Sequence, residues 1–383
     1  MNKTPPVTLG ITRLLKCERK LLEGARIGLI ANSASINELG IPSAAALLND
    51  SIELKCLFSP EHGYDVAARP GEKVADAVDP ATGLPIISLY GGSRKPGEEA
   101  LRDLDALVFD LQDVGVRCYT YIWTMALAME AAATYGKLFV VLDRPNPLDG
   151  IQVQGPVLDE RFASFLGLYS IPLRHGMTIG ELALLFNQVY GIEAQLAVVK
   201  MHGWRRRLMF SETRLRWAPP SPAIISPETA LVYAGTCLFE GTNISEGRGT
   251  ASPFRLIGAP WLDAGILGEL EKQWTAGFAL SPQKFTPVSS KYEGEECIGI
   301  AVKVVEREAA DPIALMVEML SKIALRHPES IEWREPHFDM VAGTDSLRRA
   351  IQNGRETEHI LQSWKQNLRE YEDLRTKYFL YEG

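Results

Sequence analysis

Glu61 and His62 stand side by side in FSPEHG, where the apolar run LKCLFSP ends in Pro60, a carboxylate, an imidazole and Gly63. Desolvation at an apolar strand end favours the protonated form of a carboxyl group, which is the form a general acid must supply. The plainer use of the pair is a capped loop. Glu72, in RPGEKV, is a second carboxylate nearby in sequence, of a kind common on surface turns. FDLQDVGVRCYTY sets Asp110, Asp113, Arg117, Tyr119 and Tyr121 within thirteen residues. Two carboxylates three apart suit either a divalent cation or the flanking of a bond to be hydrolysed. Equally, Asp113 can cap the following turn while Asp110 pairs with Arg117.

Arg117 and Arg144 carry the planar fork that grips a substrate carboxylate, although ion pairing is the commoner duty of an arginine in DRPNP, which also holds Asn146. His175, in RHGMT, precedes a helix start, where it can touch a ligand or serve the structure. SEGRGT places Glu246 and Arg248 among Gly247 and Gly249, a spacing that turns N–H groups inward as an anion nest. No GxGxxG follows a strand, and there is no GxxxxGK[ST], GxSxG or HExxH. Nucleotide binding by the usual loops, serine hydrolysis and zinc proteolysis are therefore disfavoured.

These residues need a frame. Strand patterns cover ARIGLIANS (25–33), LKCLFSP (54–60), LPIISLYG (84–91), ALVFDLQDVG (106–115) and KLFVVLDRPNP (137–147). SAAALLND (43–50) and YTYIWTMALAMEAAATYG (119–136) read as helices between them. Near-continuous apolar strands alternating with helices predict a parallel sheet covered on both faces. Each strand pattern ends in polar residues: Asn32; Glu61 and His62; Tyr90; Asp110 with Asp113; Asp143 with Arg144. In a parallel sheet these ends share one rim, where ligands bind.

Beyond this block, Thr178 and Glu181 have capping-box spacing for a helix in HGMTIGELALLFNQVYG. AQLAVVKM reads as a strand and PETALVYAGTCLFEG as a helix. From about 257 the pattern is mixed, with a helix near 263–275, the strand CIGIAVKVV, a helix near 312–326 and Lys/Glu-rich helices to the end. The expected division is 1–256 and 257–383. Trp123, Trp204 and Trp261 can stack on sugars, but core positions are the simpler expectation.

The formal charge of −8 argues against a nucleic-acid surface. Five scattered cysteines without CxxC spacing read as packed thiols. No run of about 18 apolar residues predicts a membrane span. MNKTPPVTLG lacks the apolar core of a signal peptide, so a cytoplasmic location is expected unless an export signal was trimmed.

Taken in order, FSPEHG, LPIISLYG, FDLQDVGVRCYTY, VLDRPNP, RHGMTIGELA, FEGTNISEGRGTASPF and GAPW resemble the exo-β-N-acetylmuramidase family, essentially over the whole chain. The resemblance implies a Rossmann-like domain with a smaller C-terminal α/β domain. It also implies hydrolytic release of N-acetylmuramic acid from the non-reducing end of peptidoglycan fragments. It puts the family's catalytic acid on Glu61 and its DxQD, Arg-x-Tyr-Thr-Tyr and Ser-Glu-Gly-Arg-Gly-Thr motifs on Asp110, Asp113, Arg117, Tyr119, Tyr121 and Ser245 to Thr250. Asp110, Asp113 and Glu72 compete for the second catalytic role, unless the substrate's N-acetyl group is the nucleophile. Arg117, Arg144 or Arg248 would meet the lactyl carboxylate. His62, Asn146, His175 and Glu246 complete the expected binding set, and no cofactor or metal is required. The chain departs from the family at YDVAARPGEKV, ANSAS and SPAIIS. The rival readings are a metal-dependent hydrolase using Asp110, Asp113 and His62, and a non-catalytic muropeptide-binding protein.

Overall fold

The computed structural model describes residues 6–383. Its largest sheet has seven strands: β1 (Arg26–Ile30), β2 (Glu53–Ser59), β3 (Ala77–Val78), β4 (Pro85–Ser88), β5 (Ala106–Phe109), β6 (Leu138–Leu142) and, after a hairpin, β9 (Gln195–Val199). That hairpin pairs β7 (Gln154–Val157) with β8 (Pro172–Arg174) in an antiparallel sense. The strand order is β3-β4-β2-β1-β5-β6-β9. All neighbours are parallel except β3, which runs antiparallel on the edge.

The expected parallel sheet is present, and the physical reason is in the side chains. Ile27, Leu29, Leu57, Phe58, Val108, Phe109, Val140 and Val141 are fully buried, so both faces of the central strands are covered. Order reverses at β1, with β2 and β4 to one side and β5, β6 and β9 to the other. Loops leaving β1 and β5 must diverge at that point, which opens a crevice above the carboxyl ends. The helix Tyr121–Thr134 follows β5 and is apolar nearly all round, as a helix pressed between the sheet and its neighbours must be. Trp123 within it is fully buried and Trp204 nearly so, which places both in the core.

The helix Ile179–Val189 starts on the expected capping box, Thr178 with Glu181. Pro227–Thr236 is helical and continues in a tighter turn to Gly241. Beyond it lies a smaller antiparallel sheet of β10 (Leu256–Ala259), β11 (Phe278–Phe285) and β12 (Cys297–Val304), in the order β10-β12-β11. The helix expected near 263–275 is a short 3₁₀ turn, Ala264–Glu269. Gly265 and Gly268 weaken a helix there, and Asp263 caps the turn through the N–H of Gly265. β11 had no clear strand pattern; Pro282 is tolerated because β11 is an edge strand.

The helix Pro312–Arg326 forms where the sequence predicts it, followed by Glu335–Ala342, Ser346–Gln352 and Thr357–Arg375. The last helix sends the chain end back to the first sheet, where the Tyr381 hydroxyl donates to Asp143 at 2.5 Å. Among the described residues no helix is long and apolar enough to cross a membrane.

Candidate active site

β2 is an inner strand, and Pro60 ends it. His62 and Gly63 then both adopt left-handed backbone, φ 73° and 78°. Two such residues in succession reverse the chain and leave Glu61 facing a cleft of about 800 Å³ instead of continuing the sheet. A left-handed histidine is uncommon, and it persists here because the loop is tied down. The N–H of Ala68 donates to the carbonyl of His62 at 3.1 Å, and His62 Nδ1 meets the carbonyl of Ala68 at 2.8 Å. That contact fixes a proton on Nδ1 and leaves Nε2 as the acceptor. Burial is the main influence on the ring and lowers its pKa, with Glu61 opposing.

Glu61 is almost buried, and both its oxygens are held. The N–H of Gly71 donates to Oε1 at 2.9 Å, and the Thr120 hydroxyl donates to Oε2 at 2.7 Å. Gly71 lies in the loop after β2, and Thr120 lies just before the helix Tyr121–Thr134. The acid is thus positioned jointly by loops from two strands. Tyr90, after β4, lines the same cleft; burial first, then Glu61, raises the pKa of its phenol.

The opposite wall comes from the segment after Pro227–Thr236 and from the C-terminal region: Glu240, Glu246, Arg248, Lys291, Arg334 and His337. Arg248 donates to Glu240 from Nε at 3.0 Å and Nη2 at 2.6 Å, and lies 3.3 Å from Glu246. Lys291 spends its three protons on the carbonyls of Phe239 and Ile244 and on Glu246 Oε2, at 2.7, 2.8 and 2.9 Å. Burial works against the Glu246 carboxylate, but Lys291 and Arg248 outweigh it and hold its pKa below the usual value. Gly247 and Gly249 are both left-handed, and the N–H groups of Gly247 and Thr250 are spent on Ser245 Oγ and the carbonyl of Gly247. The charge at the loop's tip is likewise answered by protein carboxylates. Tyr119, Tyr233 and Phe254 give the cleft an aromatic floor, with Tyr233 edge-on to Phe254 at 4.7 Å.

Of the residues singled out in the sequence, Glu61, His62, Tyr90, Tyr119, Glu246, Arg248, Gly249 and Thr250 line this cleft. The other candidate site residues lie outside its lining. Asp110 forms a buried bidentate pair with Arg144, at 2.6 and 2.9 Å, and also accepts from Ser43. Its partner is Arg144, not the expected Arg117. Asp113 caps the turn through the N–H of Gly115 at 2.7 Å and meets His175 Nε2 at 3.2 Å. Asn146 bridges Met177 and Leu148. Glu72 is exposed and accepts from the N–H of Arg69. Tyr121 donates to the carbonyl of Pro220 at 2.6 Å, behind the cleft, where Asn32 supports it.

Arg117 is buried, and its Nη2 donates to the carbonyls of Val341 and Ala342. Among the described residues no group of three His, Cys, Asp or Glu side chains is arranged to hold a metal ion. Asp110, Asp113 and His62 each have separate partners. Thr120, Gly71, Glu240, Lys291, Arg334 and His337 were not singled out from the sequence. Thr120 in FDLQDVGVRCYTY, Gly71 in RPGEKV and Glu240 in FEGTNISEGRGTASPF lie inside motifs legible in the sequence, whereas Lys291, Arg334 and His337 had no local signal.

Fold and site together define an α/β protein that closes a strand-end cleft with a second, smaller lobe and offers a glutamate to a polar, aromatic-floored pocket. The profile described as exo-β-N-acetylmuramidase NamZ, N-terminal, matches residues 27–228, and its C-terminal counterpart matches 231–381. The chain belongs to the exo-β-N-acetylmuramidase NamZ family. It is 45% identical to the peptidoglycan β-N-acetylmuramidase NamZ of Bacillus subtilis (strain 168), over 99% of this chain and 92% of that protein. Two DUF1343 family proteins of Bacteroides fragilis NCTC 9343 share the fold. One has a TM-score of 0.90 at 33% identity, covering 98% of this chain and 99% of the other; the second has 0.82 at 29%, covering 99% of each.

Proposed function

We infer that the chain is a glycosidase that removes N-acetylmuramic acid from the non-reducing end of peptidoglycan fragments, with Glu61 as the general acid. Family membership across both lobes carries the reaction. The placement of Glu61 supports its role: among the described residues it is the one carboxylate lining the cleft that no protein cation grips. A group that gives a proton to a leaving oxygen must be held in position yet free of a cation that would lock it as the anion. Thr120 and Gly71 hold it in position.

Glycoside hydrolysis usually needs a second carboxylate. Asp110, Asp113 and Glu72 are outside the cleft lining, and Glu240 and Glu246 are engaged by Arg248 and Lys291. This leaves the substrate's own 2-acetamido group as the nucleophile that best suits the site. Its carbonyl oxygen attacks the anomeric carbon while Glu61 protonates the departing oxygen. The same residue, then a carboxylate, takes a proton from the water that opens the cyclic intermediate.

The test is hydrolysis of para-nitrophenyl N-acetylmuramide beside its N-acetylglucosaminide counterpart, with the anomer followed by proton NMR. Cleavage of the muramide with retention is expected. Release of the inverted sugar would remove the acetamido route, and no cleavage of either would remove the glycosidase reading.

A further inference from the structure

The cationic groups lining the cleft are not equivalent. Arg69, Arg248, Lys291 and Arg334 face three carboxylates, Glu61, Glu240 and Glu246. In a chain of net charge −8 this pocket therefore carries a surplus of positive charge. Arg248 and Lys291 are spent on Glu240, Glu246 and two carbonyls. Arg69 and Arg334 are exposed, and their guanidinium groups have no hydrogen-bond or ion-pair partner among the described residues.

Both are nevertheless anchored through their backbones. The N–H of Arg69 donates to Glu72, and its loop is strapped to His62 through Ala68 and to Glu61 through Gly71. The N–H of Arg334 donates to the carbonyl of Gly241, beside Glu240. Each lobe thus presents one free planar fork to the cleft from a fixed attachment. Such a fork is what a carboxylate ligand requires.

We propose that Arg69 and Arg334 are specificity-determining residues that take the lactyl carboxylate distinguishing N-acetylmuramic acid from N-acetylglucosamine. The proposal rests on the muramidase reading and names the residues behind its sugar preference. Arg117 and Arg144, which looked suited to this duty, are buried on protein acceptors. A neutral sugar gains nothing from the two forks; an acidic one gains charge-assisted hydrogen bonds.

The test compares the wild type with Arg69→Gln, Arg334→Gln and the double variant. It measures turnover of the two chromogenic sugars, and calorimetric binding of free N-acetylmuramic acid and N-acetylglucosamine at low and high salt. Both positions are exposed, and matched thermal melts check that folding is intact. In the double variant, kcat/KM on the muramide and affinity for muramic acid should fall about 10- to 100-fold, mainly through KM. Affinity for N-acetylglucosamine should not change, and Lys at either position should restore part of the loss. Wild-type affinity for the acid alone should weaken with salt.

An unchanged preference for the acidic sugar in the double variant overturns the proposal while leaving the glycosidase intact. A wild type that binds muramic acid through these arginines but hydrolyses neither glycoside sinks the reaction and keeps the carboxylate site. No binding of muramic acid by the wild type overturns the carboxylate site, and the reaction then stands or falls on cleavage of the muramide.

Discussion

Glu61 and Asp110 are both nearly buried carboxylates at strand ends, yet their surroundings assign them different work. Glu61 accepts from one hydroxyl and one backbone N–H and faces open space. Glu61→Gln keeps its shape and removes the transferable proton, so kcat should fall by about 10²-fold or more while affinity for the sugar product is kept. Single-turnover kinetics beside product binding measures both. Asp110 instead neutralises Arg144 away from water. Asp110→Asn strands that guanidinium, and breaking a buried pair in this way costs about 3–5 kcal/mol. Urea unfolding should report the loss, and the fraction that stays folded should turn over nearly normally. A variant as stable as the wild type but inactive would return Asp110 to the chemistry.

Helix ends hold the two lobes in register. Arg117, in the loop after β5, donates to the carbonyls of Val341 and Ala342, the last residues of the helix Glu335–Ala342. That helix carries His337 and directly follows Arg334, so a group beneath the cleft fixes the far wall. Gly343 ends the helix at φ 76°, and a Cβ there would stand 2.0 Å from Arg117 Nη1. Gly343→Ala combines left-handed strain with that clash. It should destabilise the protein by more than about 1 kcal/mol and raise KM for the muramide; a lower melting midpoint with KM unchanged would separate the helix end from the cleft. After β6, at the same carboxyl edge of the sheet, Asp143 accepts from the Thr178 hydroxyl, which also caps Ile179–Val189. Thr178→Ala should cost about 1–2 kcal/mol in denaturant titration.

For the whole molecule, two buried groups give stability opposite slopes with pH. Asp143 anchors the chain end through Tyr381, and burial raises its pKa from 3.8 to about 7 despite four donors. Unfolded, the group is ionised above 3.8; folded, it keeps its proton until about 7. The native state therefore binds more protons in that window, and this group's contribution to stability falls as pH rises through it. Asp143→Asn should remove that slope, seen as a smaller loss of urea midpoint between about pH 4 and about pH 7. His62 acts in the opposite sense, because burial lowers its pKa. Its contribution is complete above its ordinary 6.5 and is lost as pH falls through the lowered value.

The parallel sheet, the buried helix after β5 and the capping box at Thr178 were legible in the sequence because each has a local cause: apolar runs, length, and a hydroxyl three residues before a glutamate. The polar strand ends were legible as well, since a strand that finishes in carboxylates must end where they find partners. Local pattern could not sort those ends by depth. Residues that directly follow β5 and β6 lie in a water-poor layer between loops, where Asp110 and Arg144, or Asp113 and His175, satisfy one another. Glu61 reaches the cleft because the left-handed turn at His62 and Gly63 redirects the chain. The opposing wall had even less local signature: Lys291, Arg334 and His337 lie more than two hundred residues from Glu61 and follow no spacing rule. Strand and helix identity is set by neighbours along the chain, whereas the identity of the cleft is set by which distant side chains are left unpaired when two lobes close on each other, and only the packed structure decides that.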